Sequence, residues 1–263
     1  MLGKLLKHDI KDILKSMTPI YLVLIIMSIL VRGFGWITQQ IEVFQYITII
    51  TTVIFAIAVI ISFVFCFLLS IKSFYQKILK DEGYLTNTLP VKKVSINTSK
   101  ILASIITMII TVIVIIIACM IAFYTKGAFE NIWNDIEMQS IQLGYNSYLY
   151  IGAMIGILIF SYTATISMVN CALAIGHGFN SNKLAYSAIA GVIIYFIYEI
   201  INVIGIVILI IINPNLIENL EANIPTKQIL EQIMMIAIIN GTIALITSYS
   251  ITNHQLKNRL NLE

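Results

Sequence analysis

Charge is what this chain has least of. Only 11% of its 263 residues are Asp, Glu, Lys or Arg, against roughly 25% in an ordinary soluble protein, while 59% are hydrophobic. That balance excludes a solvated globular domain and points to long apolar runs that cross a bilayer. Cysteine is also scarce. Cys66, Cys119 and Cys171 all lie inside apolar runs without a CxxC spacing, so neither a disulfide nor a metal site is implied and they read as small core hydrophobes. Zinc spacings and HExxH are absent. His177, in a polar turn, and His254, in the tail, have no Cys or paired carboxylate near them in sequence and read as solvated. The net charge of +3 is gathered in particular loops, which speaks of membrane orientation rather than a nucleic-acid partner. No small-residue cleavage site follows the first apolar run, so no cleavable signal peptide is expected.

What is present is a series of spans. The pattern predicts an all-α polytopic membrane protein with six transmembrane helices. They run about Ile20–Ile37, Tyr46–Ile71, Ile101–Tyr124, Tyr148–Ile175, Leu184–Ile212 and Ile229–Thr252, each long enough for a hydrocarbon core ~30 Å thick. Ahead of them, Leu2, Leu5, Leu6, Ile10, Ile13, Leu14 and Met17 keep a 3.6-residue period opposite Lys4, Lys7, Lys11 and Lys15. A basic amphipathic helix in that place is expected to lie in the membrane interface. The expected organisation is therefore an interfacial helix over residues 1–17 and a single six-span domain over 18–263. Its loops are 72–100 on one side, and 125–147 and 213–228 on the other. In the last of these, the apolar-acidic LIENLEANI reads as a short helix dipping into the interface. Arg32, near the end of the first span, is expected to snorkel to the headgroups. Gly152 and Gly156 form a GxxxG pair that permits close helix approach.

Orientation follows from counting. If both termini share a side, that side holds thirteen of the sixteen basic residues, and the other keeps Arg32, Lys126 and Lys227. The positive-inside rule puts both termini and the 72–100 loop in the cytoplasm of a cell carrying this protein in its plasma membrane.

The 72–100 stretch, KSFYQKILKDEGYLTNTLPVKKVSINTSK, carries six of the sixteen basic residues. Phe74, Tyr75, Ile78 and Leu79 recur on one helical face, with Lys77, Lys80 and Asp81 pointing elsewhere. Gly83 is expected to break the helix and Leu89-Pro90 to force an extended or turning backbone. Such a helix, break and turn form a knob that a partner protein could grip. A solvated basic loop that merely obeys topology is the alternative reading.

Chemistry inside the spans is sparse. Glu199 is the only acid deep in one, where a charge costs about 2.5–3.5 kcal/mol on insertion scales and must face protein or water. Asn202, three residues on, shares its face. The pair reads as a polar patch lining a pathway or a helix interface, or as a glutamate hydrogen-bonded to a neighbouring helix. Asn170 and Asn240 are weaker candidates of the same kind. A membrane-embedded enzyme needs converging acids, a His pair or a Ser-base arrangement, and this chain offers one acid and no histidine within its spans.

The text KDEGYLTNTLPVKK, followed at Ser99-Lys100 by a span, resembles the loop between the second and third spans of bacterial ABC-transporter permeases of the type-2, exporter-like class. There the loop reads DEGYLT, two residues, LPVS and then SKLL. The opening MLGKLLKHDIKDILK also resembles that family's basic N-terminal helix. The specific motif covers about twenty residues, and the topology covers the chain. Lys92 stands where the family has Ser, so a helix-capping hydroxyl is missing. The resemblance implies a permease subunit that exports a peptide, antibiotic or lipid. No GxxxxGK[ST] occurs, so ATP and Mg would be held by a separate cytoplasmic ABC ATPase, with no cofactor and no catalysis on this chain. A second permease chain, identical or a sister, would complete the pathway. By this resemblance the ATPase docks on Phe74, Ile78, Lys80, Asp81, Glu82, Gly83, Tyr84, Leu85, Thr86, Leu89 and Pro90. A non-transporting immunity or sensor subunit that binds a toxic peptide or a partner is the alternative function.

Overall fold

The computed structural model describes residues 2–38, 41–80, 92–124, 128–213 and 227–258. These residues form α1 (Leu2–Thr38), a 3₁₀ turn (Glu42–Phe44), α2 (Gln45–Phe74), a wider π-type turn (Tyr75–Leu79) and α3 (Lys93–Phe123). Then come α4 (Ala128–Gln142), α5 (Ser147–Gly176), α6 (Lys183–Ile212) and α7 (Lys227–Asn258). Among them there is no strand, and six helices are long and apolar enough to cross a membrane. The chain is an all-α polytopic membrane protein. Where one six-span domain was expected, the chain divides into two compact units, Met1–Ala128 and Phe129–Glu263.

In the first unit, α1 packs on α2 and α3. Its buried residues, Asp9, Ile13, Met17, Leu24, Ser28 and Val31, recur every three to seven positions along one stripe. The separate interfacial helix expected over 1–17 is instead the opening of α1, which continues through Pro19 to Thr38. Proline inside a helix removes a backbone donor and costs about 3 kcal/mol. Ile13 and Met17 before it and Leu24 after it are buried, so packing on both sides of Pro19 offsets that cost.

Leu24, Val31, Phe55, Ile115, Ala118 and Ala122 form one core cluster, with Phe55 and Phe123 meeting edge to face at 6.0 Å between ring centres. Apolar burial drives little between helices in lipid, so close van der Waals fit and hydrogen bonds hold such a bundle. The Tyr21 and Thr111 hydroxyls are 2.7 Å apart across α1 and α3. Arg32, expected to reach for headgroups, donates to the carbonyls of Ile121 (3.3 Å) and Tyr124 (3.2 Å) and lies over the Tyr124 ring. It therefore neutralises the orphan carbonyls and negative dipole end of α3.

The 72–100 stretch is less loop than its composition suggests. Helical turns run to Leu79, where the Lys80 N–H closes on the Tyr75 carbonyl (3.1 Å) and Lys80 turns extended. The helix thus ends before Gly83. α3 begins at Lys93, eight residues ahead of the expected span start at Ile101, with Lys92 in extended geometry at its N-cap and no side-chain cap. The hydroxyl missing at Lys92 does not prevent the start, because α3 is held by the buried residues of its first two turns, Ile96, Asn97, Ser99 and Lys100.

In the second unit, α5 packs on α7 and α6, and α6 also meets α7. The expected loop 125–147 contains α4, which ends in a turn where Gly144 takes a positive φ of 68°. There the Tyr145 N–H reaches the Ser140 carbonyl (2.8 Å), a helix stop that glycine allows without Cβ strain. At the Ser187 crossing of α5 and α6, a Cβ on Gly176 would collide with the Ser187 backbone. By contrast, a Cβ added to Gly152 or Gly156 would meet nothing within 4 Å, so that GxxxG pair makes no close contact among the described residues. The LIENLEANI segment lies outside the described residues.

Candidate functional site

Two constellations carry polar chemistry, one in each unit. In the first, Asp9 occupies the α1 stripe that Ile13 and Met17 continue, and Lys100 occupies the buried stripe of α3. Both are almost fully buried, at 4% and 6% exposure. Lys100 Nζ donates to Asp9 Oδ1 at 2.6 Å and to Ser73 Oγ at 3.3 Å. Ser99 Oγ donates to Asp9 Oδ2 at 2.9 Å. Lys77 reaches in from the π-type turn, pairing with Asp9 at 3.1 Å and with Asp12. Two carboxylates meet two ammonium groups, so the cluster is neutral as a whole. Each Asp9 oxygen has a donor, which a buried charge needs if it is not to destabilise the fold.

This cluster ties together three parts of the chain: the first turns of α1, the end of the α2 rod and the start of α3. The last two flank residues 81–91. Sequence patterning did not reveal it, although an acid in register with an apolar stripe, four positions before Ile13, was the available signal. Phe74 and Ile78, expected to contact a partner, are buried at 0% and 2% exposure. They pack inside the unit because the apolar face they share continues the buried side of α2, and so they are withdrawn from any docking surface. Lys80 is exposed, at the end of the helical turns that follow α2. Asp81, Glu82, Gly83, Tyr84, Leu85, Thr86, Leu89 and Pro90 lie outside the described residues.

In the second unit, α5, α6 and α7 line a half-open cavity of about 700 Å³. Small residues hollow it out, among them Ala164, Ala172, Gly191, Ala237, Gly241 and Ala244. Glu199, Asn202, Tyr195 and Tyr198 line it from α6 and Asn240 from α7. Asn240 Nδ2 donates to Asn202 Oδ1 at 2.8 Å, and the Tyr198 and Thr247 hydroxyls pair across the same two helices. The expectation that Glu199 and Asn202 share a face is met, and Asn240 joins them. No hydrogen bond to Glu199 is formed among the described residues, and its side chain is exposed. Asn170 is not part of this lining. It is buried at 2% exposure, and its Oδ1 has no hydrogen-bond partner among the described residues.

His177, expected to be solvated, is buried at 4% exposure. Its Nδ1 lies 2.9 Å from the Leu173 carbonyl and 3.4 Å from Ser187 Oγ. Burial, partly countered by the Leu173 carbonyl, pushes its pKa below the ordinary imidazole value, and Lys183 adds to the lowering. His254 is exposed, with Asn258 at 3.2 Å. Cys66 and Cys171 are buried and free, as expected of core thiols. No cluster of metal-ligating side chains occurs among the described residues.

No family model matches the chain, and no curated protein or solved structure matches it either. The class that the fold defines is a helical membrane protein of six span-length helices, with a buried ion-pair cluster in one unit and a polar-lined cavity in the other.

Proposed function

We propose that this chain is the permease subunit of an ATP-driven ABC exporter in the plasma membrane, with both termini cytoplasmic. A separate cytoplasmic ABC ATPase hydrolyses ATP, and a second permease chain, identical or a sister, completes the pathway for a peptide, antibiotic or lipid. The observation that carries this reading is the text DEGYLTNTLP at 81–90, joined to two helices whose adjoining ends are locked to α1 through Asp9. A partner that moves such a segment moves helices rather than a slack loop, as coupling between a docked motor and a pathway requires. The cavity lined by Glu199, Asn202 and Asn240 supports a pathway role for that unit.

Docking is tested by reversing Asp81 and Glu82 to lysine together and co-purifying the chain with its proposed ABC ATPase. Like charges at an interface cost several kcal/mol, and about 1.4 kcal/mol is tenfold in affinity. The variant is expected to reach the membrane in normal amount, lose the ATPase and cease transport. Co-purification and transport at the parent level would remove those carboxylates from the grip. A neighbouring gene without a Walker-motif ATPase, together with tight binding of a toxic peptide, would favour the immunity or sensor reading.

A further inference from the structure

Glu199 poses an electrostatic problem that the chain does not solve by itself. It stands near the middle of α6, sixteen residues past Lys183 and thirteen before Ile212. No donor reaches its carboxylate among the described residues, and no lysine, arginine or histidine lines the cavity it faces. An unpaired carboxylate at that depth is costly, and a positive group seated in the cavity beside it would offset that cost.

A second copy of this chain cannot supply that group. Within the spans expected from the sequence the one lysine or arginine is Arg32, near the end of the first, and none sits at the middle of a span. The surroundings describe the occupant. The walls are mostly apolar and small. The about 700 Å³ of space falls within the roughly 300–1,000 Å³ of drug-sized ligand sites. Tyr195 and Tyr198 flank Glu199 on the same helix face, and aromatic rings attract cations over their faces within about 6 Å of the centroid. Asn202 and Asn240 satisfy each other through one bond, leaving the Asn202 amide and the Asn240 oxygen for a ligand's polar group.

We infer that this cavity binds an amphipathic organic cation, its apolar body among the small residues and its positive group against Glu199. As a statement about cargo the inference rests on the permease reading, whereas binding itself does not.

The test uses the full-length chain, purified in a neutral detergent, with no ATPase present. Binding of the fluorescent lipophilic cation rhodamine 6G is followed by anisotropy. Tetraphenylphosphonium and tetraphenylborate, which share a shape and differ in sign, serve as competitors. The wild type is expected to bind rhodamine 6G saturably, with tetraphenylphosphonium competing and tetraphenylborate at least tenfold weaker. Glu199→Gln is expected to weaken rhodamine binding at least tenfold and to abolish the difference between the competitors. Glu199→Asp, which keeps the charge, should retain most of both effects. Ala237→Trp, which fills the space without touching the charge, should also block binding. Each variant is compared at the elution volume of the wild type, so a misfolded protein is recognised, and Glu199→Asp carries the test if Glu199→Gln does not fold. Overturning results are the absence of wild-type binding, equal competition by both ions, or unchanged affinity in Glu199→Gln. A change in dimer fraction without a change in rhodamine binding overturns it too and gives Glu199 to a protein interface. Loss of ATPase co-purification leaves the binding result standing, so the two readings fail separately.

Discussion

Lys100 donates to Asp9 across 2.6 Å and 91 positions of sequence, and this one contact fastens the start of α3 to the first turns of α1. Both partners are buried, so the pair's importance lies in what happens when one side is removed. Breaking a buried pair leaves a stranded charge and costs about 3–5 kcal/mol, whereas replacing both sides by apolar residues of similar size is often neutral.

Asp9→Ala is therefore expected to lower the thermal unfolding midpoint in detergent strongly, and Lys100→Met less so, because Asp9 retains Lys77 and Ser99. The double variant Asp9→Leu/Lys100→Met should recover most of the loss. Asp12→Ala should be mild, since Asp12 is the more exposed of the two acids. Additive losses in the double variant would show that the two residues do not act as a pair.

The glycines separate on packing. Gly176→Ala is expected to destabilise the second unit by several kcal/mol or prevent its folding, because the new methyl meets Ser187 backbone, which cannot rotate away as a side chain tip can. Gly152→Ala and Gly156→Ala meet open space and should leave the monomer's unfolding midpoint unchanged or slightly raised. A loss of dimer in these two variants, with the monomer intact, would assign the pair to a contact between chains.

His177 is expected to titrate below about 6.5, the ordinary imidazole value, as read by NMR of ring-labelled histidine. A base whose pKa falls on folding is favoured neutral in the fold. Its contribution to stability is thus fully present above about pH 6.5 and is lost as pH falls below that value. His177→Asn should flatten this part of the stability profile. A His177 pKa at or above about 6.5 would contradict burial as the controlling influence.

Orientation has a direct check. In a cysteine-free background, single cysteines at exposed Asp135 and Asn258 should differ on intact cells. Asp135→Cys is expected to react with an impermeant thiol reagent, and Asn258→Cys only after permeabilisation. The reverse pattern would invert the topology argued from the basic residues.

Much of this protein was legible because bilayers impose a simple rule. A run of about twenty apolar residues must satisfy its backbone internally, and a helix is the way one isolated segment does so. The amino-acid sequence by itself therefore determined the helical class, the six spans and the shared face of Glu199 and Asn202. Their boundaries depended on packing. Buried Ile13 and Met17 carry α1 through Pro19, and the buried first turns of α3 start it at Lys93 without a capping hydroxyl. Which charges are free and which are paired was decided by tertiary structure alone. Lys77 and Lys100 count among the basic residues of a connecting segment by composition, yet both turn inward, because Asp9 comes within reach only once α1, α2 and α3 pack. The cavity beside Glu199 is likewise invisible in sequence, since empty space arises where small residues of three helices come together, and no single helix's periodicity records that.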